Sequence, residues 1–157
     1  MPEPLWRKVV HELEVPTQGQ HWTVALEYVT PGKTIKIEVI TTASAPGKWK
    51  PDGFDTECTA DGDFDETARG KGAARRPGVI IASAPVGALV ARIGGSTADQ
   101  TVETGATANR IGFAVGRMCV FVAPTSPTGA LFLGINDEPV RMARATGTLR
   151  VNIYEAA

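Results

Sequence analysis

The sequence predicts an all-β domain, an antiparallel β-sandwich. Three observations predict it. Apolar and polar residues alternate with a period of two in several short stretches. Glycine- and proline-rich turns punctuate those stretches at short intervals. No long amphipathic helical stretch is visible. Alternation of this kind puts one face of a strand in a core and the other in water. Many short strands with regular turn signals favour a sandwich over strand–helix–strand units.

Taken in order, the first element is a strand over Leu5–Val15, where Leu5, Val9, Leu13 and Val15 share parity; a short helix is the alternative, and Pro16 stops either. In His21–Val29 the apolar residues Trp22, Val24, Leu26 and Tyr28 fall on one face, Thr23 and Glu27 on the other. Pro31-Gly32 then turns the chain, proline pre-setting φ and glycine accepting a positive one. Thr34–Thr42 follows, with Ile35, Ile37 and Val39 alternating with Lys36 and Glu38. Further strands are expected at Val79–Ala82, Gly87–Ile93, Thr101–Glu103, Met118–Val122, Ala130–Ile135 and Gly147–Tyr154. Gly94-Gly95-Ser96, Pro124-Thr125-Ser126-Pro127 and Asn136-Asp137-Glu138-Pro139 separate them.

Between Ala43 and Gly78 the structure signals are weak. The first part is acidic, with Asp52, Asp55, Glu57, Asp61, Asp63, Asp65 and Glu66. The second is basic and glycine-rich, with Arg69, Lys71, Arg75 and Arg76. A loop this long in a small domain is functional or disordered. The organisation expected is one domain over residues 1–157 with a long inserted loop at about 50–77.

Composition narrows the function classes. Hydrophobic residues make up 43% and charged residues 21% of 157, which is ordinary for a globular domain. A net charge of −1 gives no general attraction to nucleic acid or to an anionic membrane. The apolar stretches are too short to span a bilayer. The N-terminal residues lack a basic region followed by an apolar one, so cytoplasmic synthesis is expected, with non-classical export left open. Cys58 and Cys119 read as two thiols, Cys119 inside a strand; a single bridge between them is the alternative.

No catalytic constellation emerges. His11 and His21 are the only histidines, and no nucleophile-elbow, zinc-protease or phosphate-loop pattern occurs, so no enzyme activity is expected. Asp61, Asp63 and Asp65 form D-x-D-x-D, a set of hard oxygens that suits Ca²⁺. The spacing is not that of an EF-hand, and a solvated charged loop is the alternative. The Arg69–Arg76 run has no interleaved aromatic for a nucleic-acid base to stack on.

Five segments carry a resemblance. They are Thr30-Pro31-Gly32-Lys33-Thr34-Ile35, Lys48-Trp49-Lys50-Pro51-Asp52-Gly53, the strand Gly87–Gly94, the strand and loop Gly129–Pro139, and the closing strand Thr146–Ile153. Their order over roughly residues 20 to 155 resembles the bacterial galactophilic lectins of the LecA type. The resemblance implies a jelly-roll-like β-sandwich of the galactose-binding-domain kind, a Ca²⁺ ion that coordinates sugar hydroxyls, and homo-oligomeric assembly. Asp137 matches the family's metal-ligating Asp. The paired Asn positions carry Arg144 and Ala145, and the carbonyl-donating Thr position carries Arg141. An arginine opposes a divalent cation by charge and an alanine offers it no side-chain oxygen.

The expectation is therefore a lectin-like carbohydrate-binding module with a diverged ligand site. That site lacks the family's calcium, and no cofactor is expected. The ligand would be a carbohydrate or a small anion. Asp137 and its neighbour Asn136 stand in the ligand loop, Arg141 and Arg144 donate to hydroxyls or an anion, and Trp49 stacks on a sugar face. Two alternatives attach to single residues: Trp49 as a core or loop-anchoring aromatic, and Asp137 as a turn-capping carboxylate. A third concerns the whole chain, a non-enzymatic protein-interaction or assembly module that uses the sandwich as scaffold.

Overall fold

In the computed structural model the described residues are 5–16, 22–42, 46–51, 57–62, 81, 84–95, 110–137 and 147–157. They form ten strands and, among them, no helix: β1 (Trp6–Pro16), β2 (Trp22–Leu26), β3 (Thr34–Val39), β4 (Lys48–Trp49), β5 (Cys58–Thr59), β6 (Leu89–Gly94), β7 (Arg110–Ala114), β8 (Met118–Val122), β9 (Leu131–Ile135) and β10 (Thr148–Ala156). Two four-stranded antiparallel sheets pack face to face, in the orders β1-β10-β3-β8 and β2-β9-β6-β7, and a two-residue ladder joins β4 to β5. The chain is an all-β sandwich. Among the described residues no helix is long and apolar enough to cross a membrane.

Alternation builds the shared core. Ile35, Ile37 and Val39 of β3 and Leu149, Val151 and Ile153 of β10 point inward from the first sheet. Leu89, Ala91 and Ile93 of β6 and Leu131, Leu133 and Ile135 of β9 meet them from the second. Each Val, Leu or Ile side chain among them contributes roughly 1.5–3 kcal/mol by leaving water.

The outward residues of β6 and β9 are also buried, so these strands are covered on both faces. There Val90 and Phe132 cluster with Trp22, Ile81 and Ala84. Arg92 lies fully buried beside them, its guanidinium 4.7 Å from the Trp22 ring centroid and 4.5 Å from that of Phe132. Two ring faces at this distance give a buried cation electrostatic partners.

Several expectations need correction. In the His21–Val29 stretch, Val24 and Tyr28 are exposed although they share parity with the buried Trp22. Trp22 and Val24 both lie on the outside of their sheet, where Trp22 belongs to the outer cluster and Val24 does not. A bulge between Val24 and Leu26 then reverses parity, so that Leu26 faces Leu131 on the inside. In β1, two register shifts bring Val10, Leu13 and Val15 opposite Ile153, Val151 and Leu149, while Leu5 is left exposed. The strand β7 lies outside the expected set. The weak-signal stretch 43–78 contains the β4–β5 ladder. The strand expected at Thr101–Glu103 lies outside the described residues, as does all but Ile81 of Val79–Ala82.

Candidate functional site

The residues expected to form a ligand site begin at Trp49. Trp49 is fully buried in the core, and its Nε1 donates to the Gly87 carbonyl at 3.0 Å. Its slot exists because two neighbours are glycines. A Cβ on Gly147 would stand 3.1 Å from the Trp49 Cβ, and one on Gly87 would stand 2.8 Å from the Cys58 Sγ. Both glycines have positive φ, which a larger residue adopts only with strain.

Gly87 also connects Trp49 to Asn136, since its N–H donates to the Asn136 carbonyl at 2.9 Å. Asn136 is fully buried at the end of β9. Its Oδ1 accepts from the Ile81 N–H at 2.8 Å, and its Nδ2 lies 3.0 Å from the carbonyls of Ile81, Ala84 and Pro85. The side chain clamps the segment before β6 onto the outside of the second sheet. Asp137 is fully buried next to it, and its N–H donates to the Ile135 carbonyl at 2.9 Å. The structure thus brings Trp49 and Asn136 to two sides of Gly87. Arg141 and Arg144 lie outside the described residues.

The acidic motif has one described member. The Asp61 carboxylate accepts from the Arg117 N–H at 2.9 Å and from the Arg117 Nε–H, tying the β5 turn to the β7–β8 turn. Asp63 and Asp65 lie outside the described residues. Among the described residues no group of three or more His, Cys, Asp or Glu side chains is placed to hold a metal. A cleft of about 310 Å³ runs past Asp61, Pro85, Ala88 and Val115. Cys58 and Cys119 are both thiols, and burial pushes the Cys119 thiol above its ordinary value of 9.0.

The side of the sandwich where β7 and β8 lie has a different character. Each is the last strand of its sheet. On β8 the side chains of Met118, Val120 and Val122 are 58%, 50% and 63% exposed, an apolar row along a sheet edge that is open among the described residues. Cys119 and Phe121 point the other way and pack against the core. Between the two edges opens an apolar groove of about 200 Å³, lined by Ile93, Ile111, Phe113, Phe121, Val122 and Pro124. Phe113 and Phe121 bridge its floor with ring centroids 4.9 Å apart.

The opposite edge of the first sheet is guarded. The edge strand β1 carries Arg7, Lys8, His11, Glu12 and Glu14 and is interrupted by register shifts, features that blunt strand pairing. Nearer the middle of that sheet's outer face, Lys36 lies 4.9 Å from the Trp6 ring centroid and 4.5 Å from that of Tyr154. The strand β8 contains neither a charge nor a proline.

Met118, Val120 and Val122 were absent from the residues the sequence singled out. A signal was present. All five residues of Met-Cys-Val-Phe-Val are apolar, the pattern of a strand covered on both faces, yet one face of β8 is exposed. Compared with known proteins, the chain matches no family model and no curated protein.

Proposed function

We propose that this chain is a non-enzymatic interaction and assembly module that receives a β-strand along its open β8 edge. The observation that carries this reading is the coincidence, on one uncharged strand, of an exposed apolar row with a sheet edge that no other described strand pairs. Strand addition uses both: main-chain hydrogen bonds supply affinity and alternate side chains supply specificity. The groove beside the edge adds apolar surface that an incoming chain would cover.

The carbohydrate-binding reading draws on the lectin resemblance and on Asp137 at the end of β9. The enclosure of Trp49 and the commitment of the Asn136 amide to four backbone groups favour the assembly reading over it. On this reading no calcium is required.

The test uses a fluorescent peptide copying residues 116–124 with serine in place of the cysteine, titrated against the intact protein by anisotropy. The wild type binds the peptide and Val120→Pro does not. The Val120 N–H faces away from β3, so proline there removes no hydrogen bond of the fold while blocking an added strand. Equal binding by both proteins, or by neither, contradicts the proposal.

A further inference from the structure

We infer that the occupant of the β8 edge is a second copy of this chain, joined antiparallel about a two-fold axis through Val120. The inference rests on the strand-addition reading above and names its partner.

The backbone of β8 sets the register. The Ala123 N–H donates to the Lys33 carbonyl at 2.8 Å, the Ala123 carbonyl accepts from the Gly32 N–H at 2.9 Å, and the Arg117 carbonyl accepts from the Val39 N–H at 2.9 Å. Odd-numbered residues therefore bond toward β3. Alternation turns the N–H and C=O of Met118, Val120 and Val122 away from β3, toward the side on which no described strand pairs. These are the same three residues whose side chains form the exposed row. Antiparallel pairing of β8 with its copy, centred on Val120, sets Val120 against Val120 and Met118 against Val122. All three outward residues then occupy hydrogen-bonded positions, and the two sheets become one of eight strands.

Charge permits a copy. In a strand pairing with itself across a two-fold axis, any charge near the axis meets its own like, which is destabilising. Met118–Val122 carries none. Shape supports the same occupant. The two-fold axis stands perpendicular to the sheets and so brings the apolar groove of each copy against that of the other. Ile111, Phe113 and Phe121 then close a single interior continuous with both cores. The contact is isologous and closed, so association stops at the dimer.

Sedimentation velocity on the full chain tests this. The wild type dimerises in a concentration-dependent way. Val120→Lys and Val120→Glu each weaken the dimer by roughly tenfold or more, because like charges meet on the axis. Mixing the two variants restores it as a heterodimer. Circular dichroism of both variants stays that of the wild type, because Val120 is half-exposed. A wild type that remains monomeric overturns the inference; peptide binding by that monomer would leave the strand-addition reading standing, and its absence would remove both. A dimer that survives Val120→Lys, or a mixture that stays monomeric, overturns the axis through Val120.

Discussion

Trp49 on β4 and Asn136 at the end of β9 stand five strands apart in chain order, yet both hold the same glycine. Trp49 donates to the Gly87 carbonyl and Asn136 accepts from the Gly87 N–H. Each is a buried polar group whose partners make its burial tolerable. Asn136→Ala leaves the Ile81 N–H and three nearby carbonyls without their amide partner, and we expect a loss of about 3 kcal/mol in urea unfolding. Trp49→Phe removes one hydrogen bond and part of a ring, and a smaller loss of about 1–2 kcal/mol is expected. An Asn136→Ala variant as stable as the wild type would refute the clamp. At this scale the sequence was half legible. Asn-Asp-Glu-Pro announced a specific turn, but nothing local revealed that the Asn amide reaches back to residues 81–85. That contact is set by how β9 and β6 pair, which one sequence does not display.

Strands were legible where period-two alternation or a short apolar run was unbroken. β3, β8, β9 and β10 lie where Ile35–Val39, Met118–Val122, Leu131–Ile135 and Leu149–Ile153 predict them. The side chains of β2 were misassigned because one bulge reverses parity, and a bulge is a property of two paired strands. β7 escaped because Gly112, opposite Arg92, interrupts a five-residue run that otherwise alternates as Ile111 and Phe113. The edge position of β8 was equally hidden: its composition matches that of a central strand.

Within β8, Cys119 provides a check on which face is inward. Burial raises its pKa above the ordinary 9.0. In the unfolded chain the thiol ionises at the lower value, so the unfolded state sheds its proton first as pH rises. This group then leaves stability unchanged below about pH 9 and lowers it as pH climbs from there toward the folded value. Alkylation of Cys119 at neutral pH should be slower than that of an exposed peptide thiol. A rate equal to the peptide's would place the side chain outside.

At the scale of the molecule, the two edges of the first sheet are unequal. One edge is a charged, bulged strand, β1; the other is an uncharged strand, β8, beside an apolar groove. Natural sheets protect the edges they do not use. Leaving one edge bare while guarding the other is the arrangement expected of a domain that joins its partner on a single side. Of the site drawn from the lectin resemblance, Trp49, Asn136 and Asp137 are buried, and Arg141 and Arg144 lie outside the described residues.

Amide hydrogen exchange of β8 at two protein concentrations tests the central claim most directly. At high dilution the amides of Cys119 and Phe121 should be protected by β3, while those of Met118, Val120 and Val122 exchange freely. At high concentration the second set should become protected as well. Protection of Met118, Val120 and Val122 at both concentrations, or at neither, would contradict the account.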